Sequence, residues 1–117
     1  MKDFRAIAEI LGSRRLSMNS ERQLQAEILA ALEGAGIEVT PEVRLDAHSR
    51  IDFLAGGTGI EAKIGGGRLA VWRQCQRYAR HERIDALILV GSVPMPADLA
   101  DCEGKPFRFV SVGRSWL

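Results

Sequence analysis

Apolar residues along the chain recur in two periods, and the switch between them divides it into helices and strands. Phe4, Ile7, Ala8 and Leu11 fall at helical spacing and Gly12 follows as a stop, which predicts a short amphipathic helix over 3–11. Ser13 to Met18 reads as a linker. A second helix begins at Asn19-Ser20, where Ser20 followed by Gln23 has the form of a capping box, and Leu24, Ile28, Ala31, Leu32 and Ala35 trace one stripe before Gly34 and Gly36 end it. Residues Ile37 to Leu45 alternate as a strand with a break or edge position at Pro41. Asp46 to Ser49 reads as a turn. Arg50 to Ala55 and Gly59 to Ile64 then flank a Gly-Gly-Thr-Gly turn, the pattern of an antiparallel hairpin.

Gly65 to Gly67 frees the backbone to enter a third helix, Arg68 to about His81, with Leu69, Trp72, Cys75 or Gln76, and Ala79 on one face. The run Asp85 to Gly91 has the length and branched composition of a strand buried on both faces, as expected after a helical crossover. Ser92 to Pro96 reads as a loop, Ala97 to Cys102 as a short helix and Phe107 to Val112 as a last strand. The elements predict one α/β domain over 1–117, with a core at 20–91, an N-terminal helix at 3–11 and a C-terminal helix and strand extension at 96–112.

A chain of 117 residues can bury a core without staples. No apolar run approaches the roughly 18 residues of a membrane span. Lys2, Asp3, Arg5 and Glu9 interrupt the segment where a signal peptide would be apolar, so a cytoplasmic location is expected. Cys75 and Cys102 lack CxxC spacing and His neighbours, which argues for reduced thiols and against zinc. Net charge is only +1. Its distribution is uneven: Lys63, Arg68, Arg73, Arg77, Arg80 and Arg83 stand against Glu82 alone, the form of a phosphate-facing surface or of a solvated helix face.

The hairpin carries the candidate chemistry. Side chains alternate along a strand, so Glu61 and Lys63 share a face opposite to Ile60, Ala62 and Ile64, and Asp52 lies where it can face Glu61 across the pair. Two carboxylates about 4 Å apart repel by about 4 kcal/mol at an effective dielectric near 20, so the pair favours a bound cation. Glu21, in the first turn of the second helix, lies about 30° from the middle of the buried stripe at 100° per residue. It serves either the helix N-terminus or a metal held by the hairpin.

Asp52, Glu61-Ala62-Lys63, Glu21 and the Gln74-to-Tyr78 spacing together resemble the PD-(D/E)XK nuclease superfamily. The resemblance covers about Ser20 to Gly91, with Ile51 where the name-giving Pro would stand, and it looks most like small Holliday-junction resolvases and then VRR-NUC proteins. It implies a restriction-endonuclease-like αβββαβ core with a central mixed sheet flanked by helices. It also implies a Mg²⁺- or Mn²⁺-dependent endonuclease hydrolysing DNA, of branched or structured form, and a homodimer with no organic cofactor. Asp52, Glu61 and Glu21 would be metal ligands, Lys63 and Gln74 would complete the catalytic set, and Arg73, Arg77, Tyr78 and Arg80 would meet DNA. The alternative is a catalytically silent nuclease fold that binds DNA or assembles with a partner.

Overall fold

The structure, a computed structural model, describes residues 2–96 and 98–112. Three helices, α1 (Lys2–Gly12), α2 (Glu21–Gly34) and α3 (Arg68–Ala79), flank one mixed sheet of β1 (Thr40–Arg44), β2 (Arg50–Ala55), β3 (Thr58–Lys63), β4 (Ala86–Gly91), β5 (Asp101–Cys102) and β6 (Lys105–Ser111). Strand order is β1-β2-β3-β4-β6-β5. The β1-β2-β3 meander is antiparallel, β4 runs parallel to β3 after the α3 crossover, and β6 runs parallel to β4. From α2 to β4 the order is therefore helix, three strands, helix, strand, as the apolar periods predict.

The cap at Ser20 forms: its extended backbone lets the hydroxyl accept from Gln23 N–H at 3.1 Å, satisfying a donor that the first helical turn leaves free. The buried stripe is Leu24, Ile28, Ala31 and Leu32. Its other end closes where Gly36 takes φ +76 and Ile37 N–H returns to Leu32 O, a left-handed termination open to glycine at no steric cost. The linker before α2 is tied down as well. Leu16 is buried, and Ser17 N–H donates to the Glu27 carboxylate at 2.6 Å.

Two apolar layers sandwich the sheet. On one face α1 lies over β4 and β6 and α2 over β3, packing Ile7, Leu11, Leu24 and Ile28 on Phe53, Ile60, Ala62, Ile88 and Val90. On the other, α3 packs Val71, Cys75, Tyr78 and Ala79 on Ile51, Leu54, Leu87, Leu89 and Phe107. Every residue of β4 is buried, as a strand covered on both faces must be.

Two expectations are corrected. The buried face of α3 does not include Leu69, which is 59% exposed; Trp72 is half-buried and meets Phe107 edge-on with centroids 5.2 Å apart. Described residues of 97–102 form no helix. Asp101–Cys102 is instead a two-residue strand paired with Lys105 and Pro106, because the Glu103-Gly104 turn, with φ +52 and +78, folds the chain back onto β6. Ala97 lies outside the described residues, as does Trp116.

The two edges of the sheet differ. On β1, Pro41 has no N–H and Glu42 takes φ +51, features that spoil an edge as a template for another strand. On β6, Phe107 N–H turns outward to Ala100 O and Val112 N–H turns inward to Gly91 O. Alternation then points the N–H groups of Phe109 and Ser111 away from β4, past the end of β5, with no backbone partner among the described residues.

Candidate active site

The β2–β3 ladder stops short of the charged residues. Registered pairs are Ala55↔Thr58, Leu54↔Gly59 and Phe53↔Ile60. One step further, side chains replace the ladder: Asp52 N–H donates to Glu61 Oε1 at 3.1 Å, and Ala62 N–H donates to Asp52 Oδ2 at 2.8 Å. Strand β2 also changes face here. Ile51 packs on the α3 side, whereas Asp52 and Phe53 both line a groove with α2, so two consecutive side chains leave the same side of the sheet in the manner of a bulge. Glu42, the residue across from Asp52 in the β1 register, is the one held at φ +51.

This corrects the expected geometry. Ile60, Ala62 and Ile64 do share the α2 face, and Glu61 turns to α3. Asp52 does not share Glu61's face. It comes from the α2 side, and the two carboxylates meet through the gap where the strands part.

Glu61 is 6% exposed. Burial first, and the neighbouring Asp52 charge second, push its carboxyl from 4.5 up to about 8. Burial also raises Asp52, against the lowering effect of the Ala62 N–H. At neutral pH the pair therefore holds a proton or requires a cation. Lys63, half-buried two residues on, is close enough to Glu61 to favour its ionised form.

Helix α3 supplies the wall. Tyr78 Oη lies 3.1 Å from Glu61 Oε2 and 3.0 Å from Arg50 O, and Gln74 Nε2 donates to it at 2.9 Å. Its single proton serves one acceptor at a time. Tyr78 is 3% exposed and its hydroxyl points inward to Glu61 and Gln74. The i,i+4 spacing puts Gln74 and Tyr78 on one face, and Gln74 reaches Glu61 only through Tyr78.

Helix α2 brings Glu21, whose Oε2 accepts from Ile64 N–H at 3.3 Å and whose charge opposes ionisation of Asp52. Among the described residues no three His, Cys, Asp or Glu side chains gather closely enough to hold a metal ion, so Glu21 stands beside the Asp52–Glu61 pair without completing a three-carboxylate set. Two carboxylates nonetheless fit Mg²⁺, which commonly binds one or two and keeps several waters. Gln25, one turn after Glu21, lies within hydrogen-bonding reach of Asp52. The sequence reading missed it, although its i+4 spacing from Glu21 was the available signal.

Arg73, Arg77 and Arg80 are all exposed. Arg80 is tied to Glu103 at 3.0 Å, and with Arg77 it borders a cavity of about 390 Å³ beside the turn at 46–49. Lys63 is held close by Gly91, where any Cβ would overlap the Lys63 carbonyl. No helix among the described residues is long and apolar enough to cross a membrane. Comparison with protein-family models, curated proteins and solved structures finds no match to this chain.

Proposed function

We propose that the chain is a Mg²⁺- or Mn²⁺-dependent nuclease that hydrolyses phosphodiester bonds of DNA, of the PD-(D/E)XK type. One observation carries the reading: Asp52 and Glu61 are drawn together through a gap in the sheet, with Glu61 raised to about 8 and Lys63 two residues away. A structural ion-pair ladder would set opposite charges across the strands, whereas here like charges are held together at the cost of burial.

Asp52 and Glu61 would hold the ion, which when bound supplies a Lewis acid toward the phosphate and a water of lowered pKa. Tyr78 and the Ala62 and Asp52 N–H groups fix both carboxylates in place before any ligand arrives, so little reorganisation accompanies binding. The Lys63 ammonium stabilises negative charge developing on the phosphate oxygens or orients the attacking water. Arg73 and Arg77 give the duplex backbone a cationic flank. A homodimer joined at the β6 edge would present two such sites to opposite strands.

The test is incubation of the purified protein with junction, flap, duplex and single-stranded DNA in Mg²⁺ or Mn²⁺, beside Lys63→Ala and Asp52→Ala. Cleavage by the wild type that both substitutions abolish is the expected result. Cleavage that survives both is contamination and sinks the assignment; DNA binding without cleavage makes the chain a binding module.

A further inference from the structure

The groove that opens on Asp52 extends beyond what holds the carboxylates: one Gln25 N–H is within reach of Asp52, and the Gln25 carbonyl and second N–H remain for a ligand. It runs between α2 and the β1–β2 pair with a volume of about 240 Å³, smaller than the roughly 300–1,000 Å³ of drug-sized sites. Its walls are Ala26, Leu29, Pro41 and Phe53, and its polar groups are the Gln25 amide, the Arg22 guanidinium and the carboxylates of Glu42 and Asp52.

The lining selects its ligand class. One cation against two carboxylates makes the groove net negative, so it is no track for a phosphate backbone. Apolar walls bearing an amide and a carboxylate suit a flat ligand with apolar faces and a hydrogen-bonding edge: Gln pairs with adenine, and Glu accepts from an amino group. Glu42 adds a second observation. A non-glycine residue at φ +51 costs about 1–3 kcal/mol and persists where the surroundings hold it, and this one lies opposite Asp52 on the groove rim.

We infer that this groove receives one unpaired nucleobase from the nucleotide next to the phosphate at Asp52 and Glu61, so that the substrate is nucleic acid with an unpaired nucleotide at the cut. The inference rests on the nuclease reading for the position of the phosphate. A base still in a duplex is stacked and paired on its edge, and it enters a groove of this size only when already single-stranded or extruded.

The experiment measures binding separately from cleavage. Two duplexes carrying a one-nucleotide bulge, identical except that one bulge is abasic, are titrated with the protein in Ca²⁺, with 2-aminopurine as a third bulge residue to report base burial. Burial of one base's apolar surface against these walls is expected to give about tenfold tighter binding than the abasic bulge, with a change in 2-aminopurine fluorescence. Ala26→Trp, which fills the groove from the exposed side of α2, brings the ratio to about one, and circular dichroism verifies its fold. Equal affinity for the two bulges in the wild type, or a ratio unchanged in a folded Ala26→Trp, overturns the inference. Base preference in Ca²⁺ without cleavage in Mg²⁺ or Mn²⁺ upholds the groove and overturns the nuclease reading instead.

Discussion

Replacing Glu61 with Gln separates what the site costs the fold from what it does. The substitution keeps shape and neutralises the group. The Gln carbonyl can still accept from Asp52 N–H, and its amide can donate to Tyr78 Oη while the Tyr78 proton goes to Arg50 O. In the wild type the folded carboxyl sits near 8 against 4.5 for the free group. A raised folded value means that the native state binds the proton more tightly than the unfolded chain. That stability is fully present below about pH 4.5, declines by about 1.4 kcal/mol per pH unit, and is lost once pH passes about 8. Over the whole window the loss is on the order of several kcal/mol, reduced by any relaxation that lets water reach the carboxylate.

Thermal melts of metal-free protein at intervals from pH 5 to 8.5 measure this. For a domain of this size one kcal/mol moves Tm by about 4 °C. Glu61→Gln is therefore expected to melt increasingly above the wild type as pH rises. Mg²⁺ should raise the wild-type Tm at pH 8 by preferential binding to the native state and leave that of Glu61→Gln nearly unchanged, while DNA cleavage by the variant is lost. A difference in Tm that does not change with pH would refute the buried, strained carboxylate.

Three other substitutions test separate parts of the structure. Tyr78→Phe keeps the ring in the α3 layer but removes the hydroxyl from Glu61 and Gln74, so a stability loss of about 1–3 kcal/mol in denaturant melts and a fall in kcat greater than in DNA affinity are expected. Gly91→Ala drives a Cβ onto the Lys63 carbonyl; backbone displacement costing about 1–3 kcal/mol should accompany reduced cleavage, measured by melts and single-turnover assays, and wild-type values in both would show that the β3–β4 contact yields freely. Ser111→Pro removes an outward N–H while sparing the ladder to β4, so sedimentation should show a dimer for wild type and Ser111→Val and a monomer for Ser111→Pro.

Much of the fold was legible because local signals agreed with one another. Ser20 and Gln23 mark the start of α2, Gly36 closes it, and the all-apolar run from Ala86 to Val90 could lie only between two layers. The members of the site were legible too, since Glu61, Lys63, Asp52, Glu21 and Gln74 are chemical groups at fixed spacings. Their arrangement was not. A period of two assigns Asp52 to one face, and nothing in Ile51-Asp52-Phe53 signals that the strand bulges there; the left-handed Glu42 across from it depends on a pairing absent from local sequence. Tyr78 has the same helical spacing whether its hydroxyl faces solvent or a carboxylate, and only the buried β3 decides. Leu69 shows that hydrophobicity does not dictate burial, because α3 is rotated to seat Val71 and Tyr78 beside the expected Cys75 and Ala79.

The unlike edges of the sheet bear on how large an assembly can become. Joining through sheet edges is an addition reaction, and its product depends on how many reactive ends each monomer carries. With two usable ends the product is a fibre. Here Pro41 and Glu42 inactivate one end, and among the described residues Phe109 and Ser111 are left at the other. Two copies that paired there would use up the remaining end of each, and the product would be terminated at the first step.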